Sequence, residues 1–386
     1  MKIGVIGAGL TGCALARLLT GRRHKVIIFE KNDRIGGLCV SNRHENGLLY
    51  EPYGARTFHT AEDKIREFAL KYSRFNGYRH RKGIVIEGKL LPFPITRETI
   101  SLLSAAGKIK KELKSRPKEI DRSNFETACI SIFGPTLYKY FISNYSRRMW
   151  GRSPKELSAH WAPKRLVLRD DDTGGLFKNE WQGLPIEGYS VWLERMIEGI
   201  DVETGVEVVD TKNFDMVVST APIDEIAGYR YGRLEYRSLK FIYTCVEDWE
   251  DDRYGTINLP QHRRFIRKCN FKVLHRLVSA KNLIQYQQPC DVDSGGIPMY
   301  PVHTERNELL FRRYLSYVVS LTNLCPAGRL GLFEYLDMDE AIAYAIQIVP
   351  LIEKYRELPP QERREALMKV RRTAYDESNH SGRFKN

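Results

Sequence analysis

The sequence predicts an α/β chain: a βαβ-type domain interrupted by an inserted helical domain and by an antiparallel β-sheet domain. Three observations predict it. The chain opens with an apolar strand, a glycine turn and a helix carrying small residues on one face, "KIGVIGAGLTGCALARLL". The tract from 96 to 150 follows a helical period, and residues 229–302 fall into short aromatic and β-branched runs of the kind that pair antiparallel.

The bulk properties frame these elements. The chain has 386 residues, 42% of them hydrophobic and 28% charged, enough for a sizeable core. No apolar run approaches the roughly 20 residues of a membrane span, and "KIGVIGAGL" is too short and glycine-rich for a signal peptide, so a cytoplasmic protein with no membrane span is expected. Cys13, Cys39, Cys129, Cys245, Cys269, Cys290 and Cys325 are scattered, odd in number and never in CxxC spacing. That pattern argues against a disulfide framework and against a metal site, and for reduced thiols mostly in the core. The net charge of +13 favours anionic partners. Its basic runs ("GRRHK", "KIKKELKSR", "RRFIRK", "QERREALMKVRR") match no nucleic-acid-binding pattern, so no nucleic acid is expected and solvated helix faces account for most of them.

In the first element, Gly7-x-Gly9-x-x-Gly12 stands between strand and helix, with Leu10 and Thr11 opening the helix, and the second strand ends in Glu30 followed by Lys31. Gly7 permits the tight turn, Gly9 lets the backbone approach a pyrophosphate, and Gly12 permits close packing. The helix N-terminus supplies amides and a positive dipole, and Glu30 can accept ribose hydroxyls. Arg34 and the pair Gly36-Gly37 add a second glycine turn after the acid. That turn resembles the FAD class of this fingerprint, which makes the first unit a Rossmann-like FAD-binding domain. Next, "YGARTFHT" at 53–60 reads as strand-like, and "KSRPKEIDRSN" interrupts the helical tract. Residues 185–227 return to α/β character through "GLPIEGYSVWLERMIEG", "VEVVD" and "DMVVSTAPID", a helix follows "AGRLGLFEYLDMD", and the tail "YDESNHSGRFKN" reads as disordered. The domains expected are 1–78 with 185–228 and 303–352 (FAD-binding), 96–160 (helical insertion), 79–95 with 161–184 and 229–302 (antiparallel sheet), and 353–386 (C-terminal helix and tail).

"GAGLTG", Glu30, "IGG", "YGARTFHT", "LPFPI", "NYSRRMWGRSPKEL", "KRLVLR", "QGLPIEGY", "TAPID", "YRYGRLEYRSLKF", "IPMYPV" and "GRLGLFEYLDMD" follow one another in an order that resembles the UDP-galactopyranose mutases, from Met1 to about Ile352. The resemblance implies an isomerase of nucleotide sugars that interconverts UDP-galactopyranose and UDP-galactofuranose for cell-surface polysaccharide synthesis. It implies FAD active only when reduced by NAD(P)H or another external reductant, with flavin N5 as nucleophile at the anomeric carbon, and a homodimer. Arginines suit the leaving diphosphate because the guanidinium fork binds phosphate oxygens bidentately and keeps its charge.

By that resemblance Arg165 closes on the diphosphate with Arg264 as its partner, and Tyr300 and Tyr335 donate to the phosphates. Tyr145 stacks on the base, Trp150 and Phe141 line the pocket, and Arg237 and Arg329 lie at the flavin and pocket floor. His80 stands where the family has an asparagine near the nucleotide. Arg56, Thr57, Phe58 and His59 run along the flavin, Arg56 replacing a family histidine. Val208 is a further cofactor contact, and Asp337 and Met338 begin a helix whose amides face the flavin. Arg165, Arg264, His59 and Arg329 form the catalytic set, and no metal is expected.

The chain departs from the family pattern on the substrate side. Leu176 replaces a phosphate-contacting tyrosine, and "RRFIRKC" replaces T-R-x-x-E-H-K, so that Arg267 and Lys268 stand for an acid and a histidine. These changes leave dTDP- and GDP-linked sugars open as alternatives. A flavin oxidoreductase of the amine-oxidase type, which shares the N-terminal fingerprint, is the competing reading. A silent nucleotide-sugar binder is a third. Arg56 is expected to favour anionic reduced flavin or, equally, to turn away and pair with a surface acid.

Overall fold

The computed structural model describes residues 1–159, 168–169, 175–207, 210–247, 252–278 and 281–380, with 372–380 described by backbone alone. Arg165 and Val208 lie outside these residues.

The opening apolar run forms the strand Lys2–Ile6, which sits at the centre of a five-stranded parallel sheet. On one side it pairs with Lys25–Glu30 and then Asp201–Thr204, on the other with Met216–Ser219 and then Leu324–Pro326. Near-continuous Val and Ile suit strands covered on both faces. The helix Leu10–Gly21 lies on this sheet and packs against Met338–Lys354, so the first and last parts of the domain share one core.

The second sheet has seven strands, in the order Tyr300–Pro301, Tyr236–Val246, Asn282–Asp291, Arg267–Asn270, Thr256–Asn258, Lys82–Ile86 and Lys89–Phe93. It is antiparallel as expected except where Thr256–Asn258 runs parallel to Lys82–Ile86. That exception arises because Lys82–Ile86 enters from far upstream rather than through a hairpin. The helical tract resolves into Arg97–Ser101, Ala106–Lys114, Phe125–Leu137, the π-helical Tyr138–Ser143 and Asn144–Trp150, with its own apolar core. Gly134, at φ +77° before Pro135, breaks the longest of these helices.

Two expectations need correction. Only Phe58–Thr60 of "YGARTFHT" is strand, pairing with Trp181–Gly183, because Gly54 takes φ +95° and turns the chain upstream of it. The tail is not disordered through to the end of the described residues: the helix Pro360–His380 includes its first half. Arg363 anchors that helix by donating to the carbonyls of Tyr355, Val319 and Arg356, and Leu367 is fully buried. Among the described residues no helix is long and apolar enough to cross a membrane.

Candidate functional site

The glycine turn has the geometry of a dinucleotide cradle. Gly7 takes φ +94°, and a Cβ there would lie 2.2 Å from Thr220 Oγ1, so only glycine fits. A Cβ on Gly12 would fall 1.9 Å from the Gly7 carbonyl oxygen, which is why the helix can sit so close. A Cβ on Gly9 would meet nothing within 4 Å, leaving its backbone open to a ligand. The second turn closes on the first: Gly36 N–H donates to the Ala8 carbonyl at 2.8 Å, and Gly37, at φ +54°, lies against Gly9.

Glu30 is buried at the end of its strand. Its carboxylate accepts from the Ala8 amide at 2.9 Å and the Asn32 amide at 3.0 Å, which fixes it beside the cradle. Lys31 turns outward, 3.8 Å from Glu225. Thr11 lies against the backbone of Gly328, and this contact carries the fingerprint to Arg329 and the cavity beyond. The donor set, the open glycine and the buried acid fit a dinucleotide such as FAD.

The cavity holds about 400 Å³ and lies between the parallel-sheet loops, the seven-stranded sheet and the helical tract. Of the residues expected from the sequence, it brings together Arg56, Thr57, His59, His80, Phe141, Tyr145, Trp150, Tyr300, Arg329, Tyr335, Asp337 and Met338. Leu176 lines it as well. Tyr300 and Tyr335 stack with their planes 5° apart, the Arg329 guanidinium lies 4.4 Å from the Tyr335 ring centroid, and Trp150 meets Tyr300 edge-on. Burial, with Tyr335, raises the Tyr300 phenol, against the lowering pull of Arg267, Arg329 and Arg56. The Tyr300 hydroxyl therefore keeps its proton and can donate.

Arg56 is held by backbone. It donates to the carbonyls of Leu38, Tyr53 (2.8 Å) and Gly54 (3.3 Å), and among the described residues it has no carboxylate partner. The surface-acid alternative is thereby corrected: the tight loop turns three carbonyls toward the guanidinium. His59 stacks on Phe177 with centroids 3.7 Å apart, and its Nδ1 is 3.9 Å from Asp339 Oδ2. Burial, reinforced by Asp337 and Glu340, holds the Asp339 carboxyl well above the usual carboxylate range. His80 stands between two hydroxyls, Nδ1 2.8 Å from Thr57 Oγ1 and Nε2 2.9 Å from Thr256 Oγ1. Burial, then Lys82, Arg267 and His59, lower its pKa well below that of a free imidazole, so it is a neutral lining group.

Three expected residues stand apart. Phe58 is fully buried in an aromatic cluster with Phe75, Trp181 and Trp192, holding its strand in place rather than facing the cavity. Arg237 lies behind the cavity wall: it donates to the carbonyls of Met149 (2.8 Å) and Arg148 (3.2 Å) and pairs with Asp291, clamping the C-terminus of Asn144–Trp150. Arg264 is exposed and donates to Gln288 Oε1 at 2.7 Å. Conversely, sequence reasoning gave no place to Lys82, Asn258, Thr256, Gln287 and Phe177, all of which line the cavity. The first four share strand register, Lys82 opposite Thr256 and Asn258 opposite Arg267, which in turn pairs with Gln287. Only knowledge of that pairing could have found them.

Comparison with known proteins places this geometry. The family model "UDP-galactopyranose mutase" matches residues 140–335, and a "NAD(P)-binding Rossmann-like domain" model matches residues 5–72. The dTDP-fucopyranose mutase of Escherichia coli is 28% identical over 376 residues, covering 92% of this chain and 98% of that protein. The UDP-galactopyranose mutase of Mycoplasma pneumoniae is 28% identical over 374 residues, covering 89% and 94%. A crystal structure of reduced UDP-galactopyranose mutase superposes with a TM-score of 0.78 at 17% identity, over 94% of this chain and 98% of that one.

Proposed function

Since this chain belongs to the UDP-galactopyranose mutase family, a family of isomerases, we propose that it interconverts the pyranose and furanose forms of a nucleotide-diphosphate sugar in this cavity, with reduced FAD as cofactor. The observation that carries the reading is the convergence of Arg56, Arg329, Tyr300 and Tyr335 on one enclosed space that the dinucleotide cradle adjoins.

Reduced flavin, when bound, supplies a nucleophilic ring nitrogen for an anomeric carbon whose diphosphate departs. The chain's part is to bind, orient and exclude water. Gly7, Gly9, Gly12 and Glu30 would hold the adenine dinucleotide half, and the loops of Arg56–His59 and Arg329–Met338 the flavin end. Arg329 and Arg56 keep a fixed positive charge where negative charge accumulates on departure. The Tyr300 and Tyr335 hydroxyls would donate to phosphate oxygens. Tyr145, Trp150 and Phe141 offer faces to the nucleoside and sugar, and the stacked His59 and Phe177 form part of the wall. Arg165, outside the described residues, is proposed from the family resemblance alone to act on the diphosphate.

The pair we propose first is UDP-galactopyranose and UDP-galactofuranose, with dTDP- and GDP-linked sugars as alternatives, because relatives acting on two different nucleotide sugars are equally similar to this chain. Leu176 offers no hydroxyl to the substrate, in keeping with a changed nucleotide or sugar. A cytoplasmic homodimer reduced by NAD(P)H completes the proposal. The test is anaerobic: purified protein, its flavin content read from the visible spectrum, is reduced with dithionite and given UDP-galactofuranose beside thymidine- and guanosine-diphosphate sugars. Ring-isomerised product with no net oxidation supports the reading. Protein that takes up no FAD, or that in a parallel aerobic arm oxidises its substrate with oxygen consumption, overturns it.

A further inference from the structure

Of the arginines in the basic run, Arg267 and not Arg264 reaches the cavity from the seven-stranded sheet, which also contributes Lys82. Arg267 opens the strand Arg267–Asn270 in register with Asn258 and Gln287, which also line the cavity. Among the described residues its guanidinium engages neutral oxygens: Nη2 donates to the Tyr145 hydroxyl at 2.8 Å, Nε to Asn258 Oδ1 at 3.3 Å and Nη1 to Gln287 Oε1 at 3.4 Å. With five N–H donors and two of these three bonds long, it keeps capacity for a further acceptor.

Among the described residues the titratable groups most strongly coupled to this cation include Tyr145, Cys269, Tyr300 and His80, none of them a carboxylate, and Lys82 adds a second positive charge beside His80. Asp337, the acid in the lining, serves as N-cap of Met338–Lys354 in a reciprocal capping box with Glu340. Among the described residues, then, Arg267 has no carboxylate partner. An enclosed cation without a counter-charge is costly unless an anion arrives with the ligand. Arg264 faces solvent instead, its guanidinium over the Phe265 ring at 5.1 Å.

We propose that Arg267, steadied by Tyr145 and Asn258, grips an oxyanion of the substrate, the role that the sequence motif gives to Arg264. The assignment rests on the nucleotide-sugar reading and sharpens it: the residue that stands where relatives of this motif carry an acid sets which anionic substrate is taken. The oxyanion is a phosphate of the nucleotide or a carboxylate on the sugar, and the two sources separate by experiment.

Binding is measured by calorimetry for the wild type and for Arg267→Gln, Arg267→Lys and Arg264→Gln. The probes are uridine, UDP, dTDP, UDP-galactose and UDP-galacturonate, each at low and high salt. Arg267→Gln is expected to weaken the better-bound nucleoside diphosphate by about tenfold or more and to flatten its salt dependence, with uridine unaffected. Arg267→Lys, which keeps the charge but loses the fork, falls between, and Arg264→Gln stays within about twofold. An equal loss for UDP and UDP-galacturonate assigns the phosphate; a loss confined to UDP-galacturonate assigns the sugar carboxylate. If Arg267→Gln fails to fold, Arg267→Lys decides by the same comparison. Wild-type affinity in both Arg267 variants, or a loss carried by Arg264→Gln, overturns the assignment while leaving the function standing. A wild type that binds none of the nucleotides overturns both.

Discussion

Replacing His80 with asparagine removes one specific proton-linked contribution to stability. In the folded chain His80 is buried, bridges Thr57 and Thr256, and is kept neutral by burial and by the positive charges of Lys82 and Arg267. In the unfolded chain it titrates near 6.5, the ordinary value for an imidazole. Below that pH the unfolded state binds a proton that the folded state refuses, so stability rises with pH and is lost as pH falls through 6.5. Because burial holds the folded-state pKa well below 6.5, the loss from this one residue between about pH 7 and about pH 5.5 approaches about 1.2 kcal/mol. Asp339 works in the opposite sense: its raised pKa makes the folded state the better proton acceptor above 3.8, so it contributes stability as pH falls. The difference between wild type and His80→Asn cancels that background. Urea unfolding of both proteins at several pH values is the assay. The wild type should lose about 1.2 kcal/mol more than the variant over that interval, and parallel curves would show that His80 accepts a proton in place.

Further predictions follow from geometry elsewhere. Gly12→Ala puts a Cβ 1.9 Å from the Gly7 carbonyl and should yield protein with little bound flavin by absorbance, whereas Gly21→Ala, with nothing within 4 Å, should retain it. Arg237→Met leaves the Met149 and Arg148 carbonyls without their donor and should lower stability by about 2–4 kcal/mol in denaturant melts, with nucleotide affinity altered by less than about threefold. Arg371 donates to both oxygens of Glu308 at 3.1 and 2.8 Å, and its Nε lies 3.2 Å from Glu334. Arg371→Met removes the cation shared by both carboxylates, while Glu308 keeps His303 at 2.6 Å, and should destabilise by about 2–3 kcal/mol. Because Glu334 accepts the Tyr335 amide, the same change should also weaken nucleotide binding, measured by calorimetry.

The parts legible in the sequence are those whose constraints are local. Gly7, Gly9 and Gly12 answer to backbone torsions and close approaches within one turn, so their spacing forecast both the fold and the cradle. The stacked Tyr300 and Tyr335, with Arg329 against them, came through the order of short motifs. What sequence reasoning misplaced depends on contacts between distant segments. Arg264 and Arg267 differ by three positions in a basic run, and only the pairing of Arg267 with Asn258 and Gln287 turns one inward and leaves the other in solvent. Arg237 looks like a binding residue until the helix end it clamps is seen. The C-terminal helix is expected from the sequence, but that Arg363, Leu367 and Arg371 on one face of Pro360–His380 are buried depends on contacts with segments far upstream.

The central claim is that this cavity performs ring isomerisation on a nucleotide sugar only when its flavin is reduced. The most direct measurement follows UDP-galactofuranose and its dTDP- and GDP-linked counterparts by anaerobic chromatography, with the same enzyme preparation oxidised and dithionite-reduced. The account predicts conversion to the pyranose in the reduced sample and none in the oxidised one. Equal conversion in both, or none with any nucleotide sugar in flavin-loaded reduced protein, would contradict it.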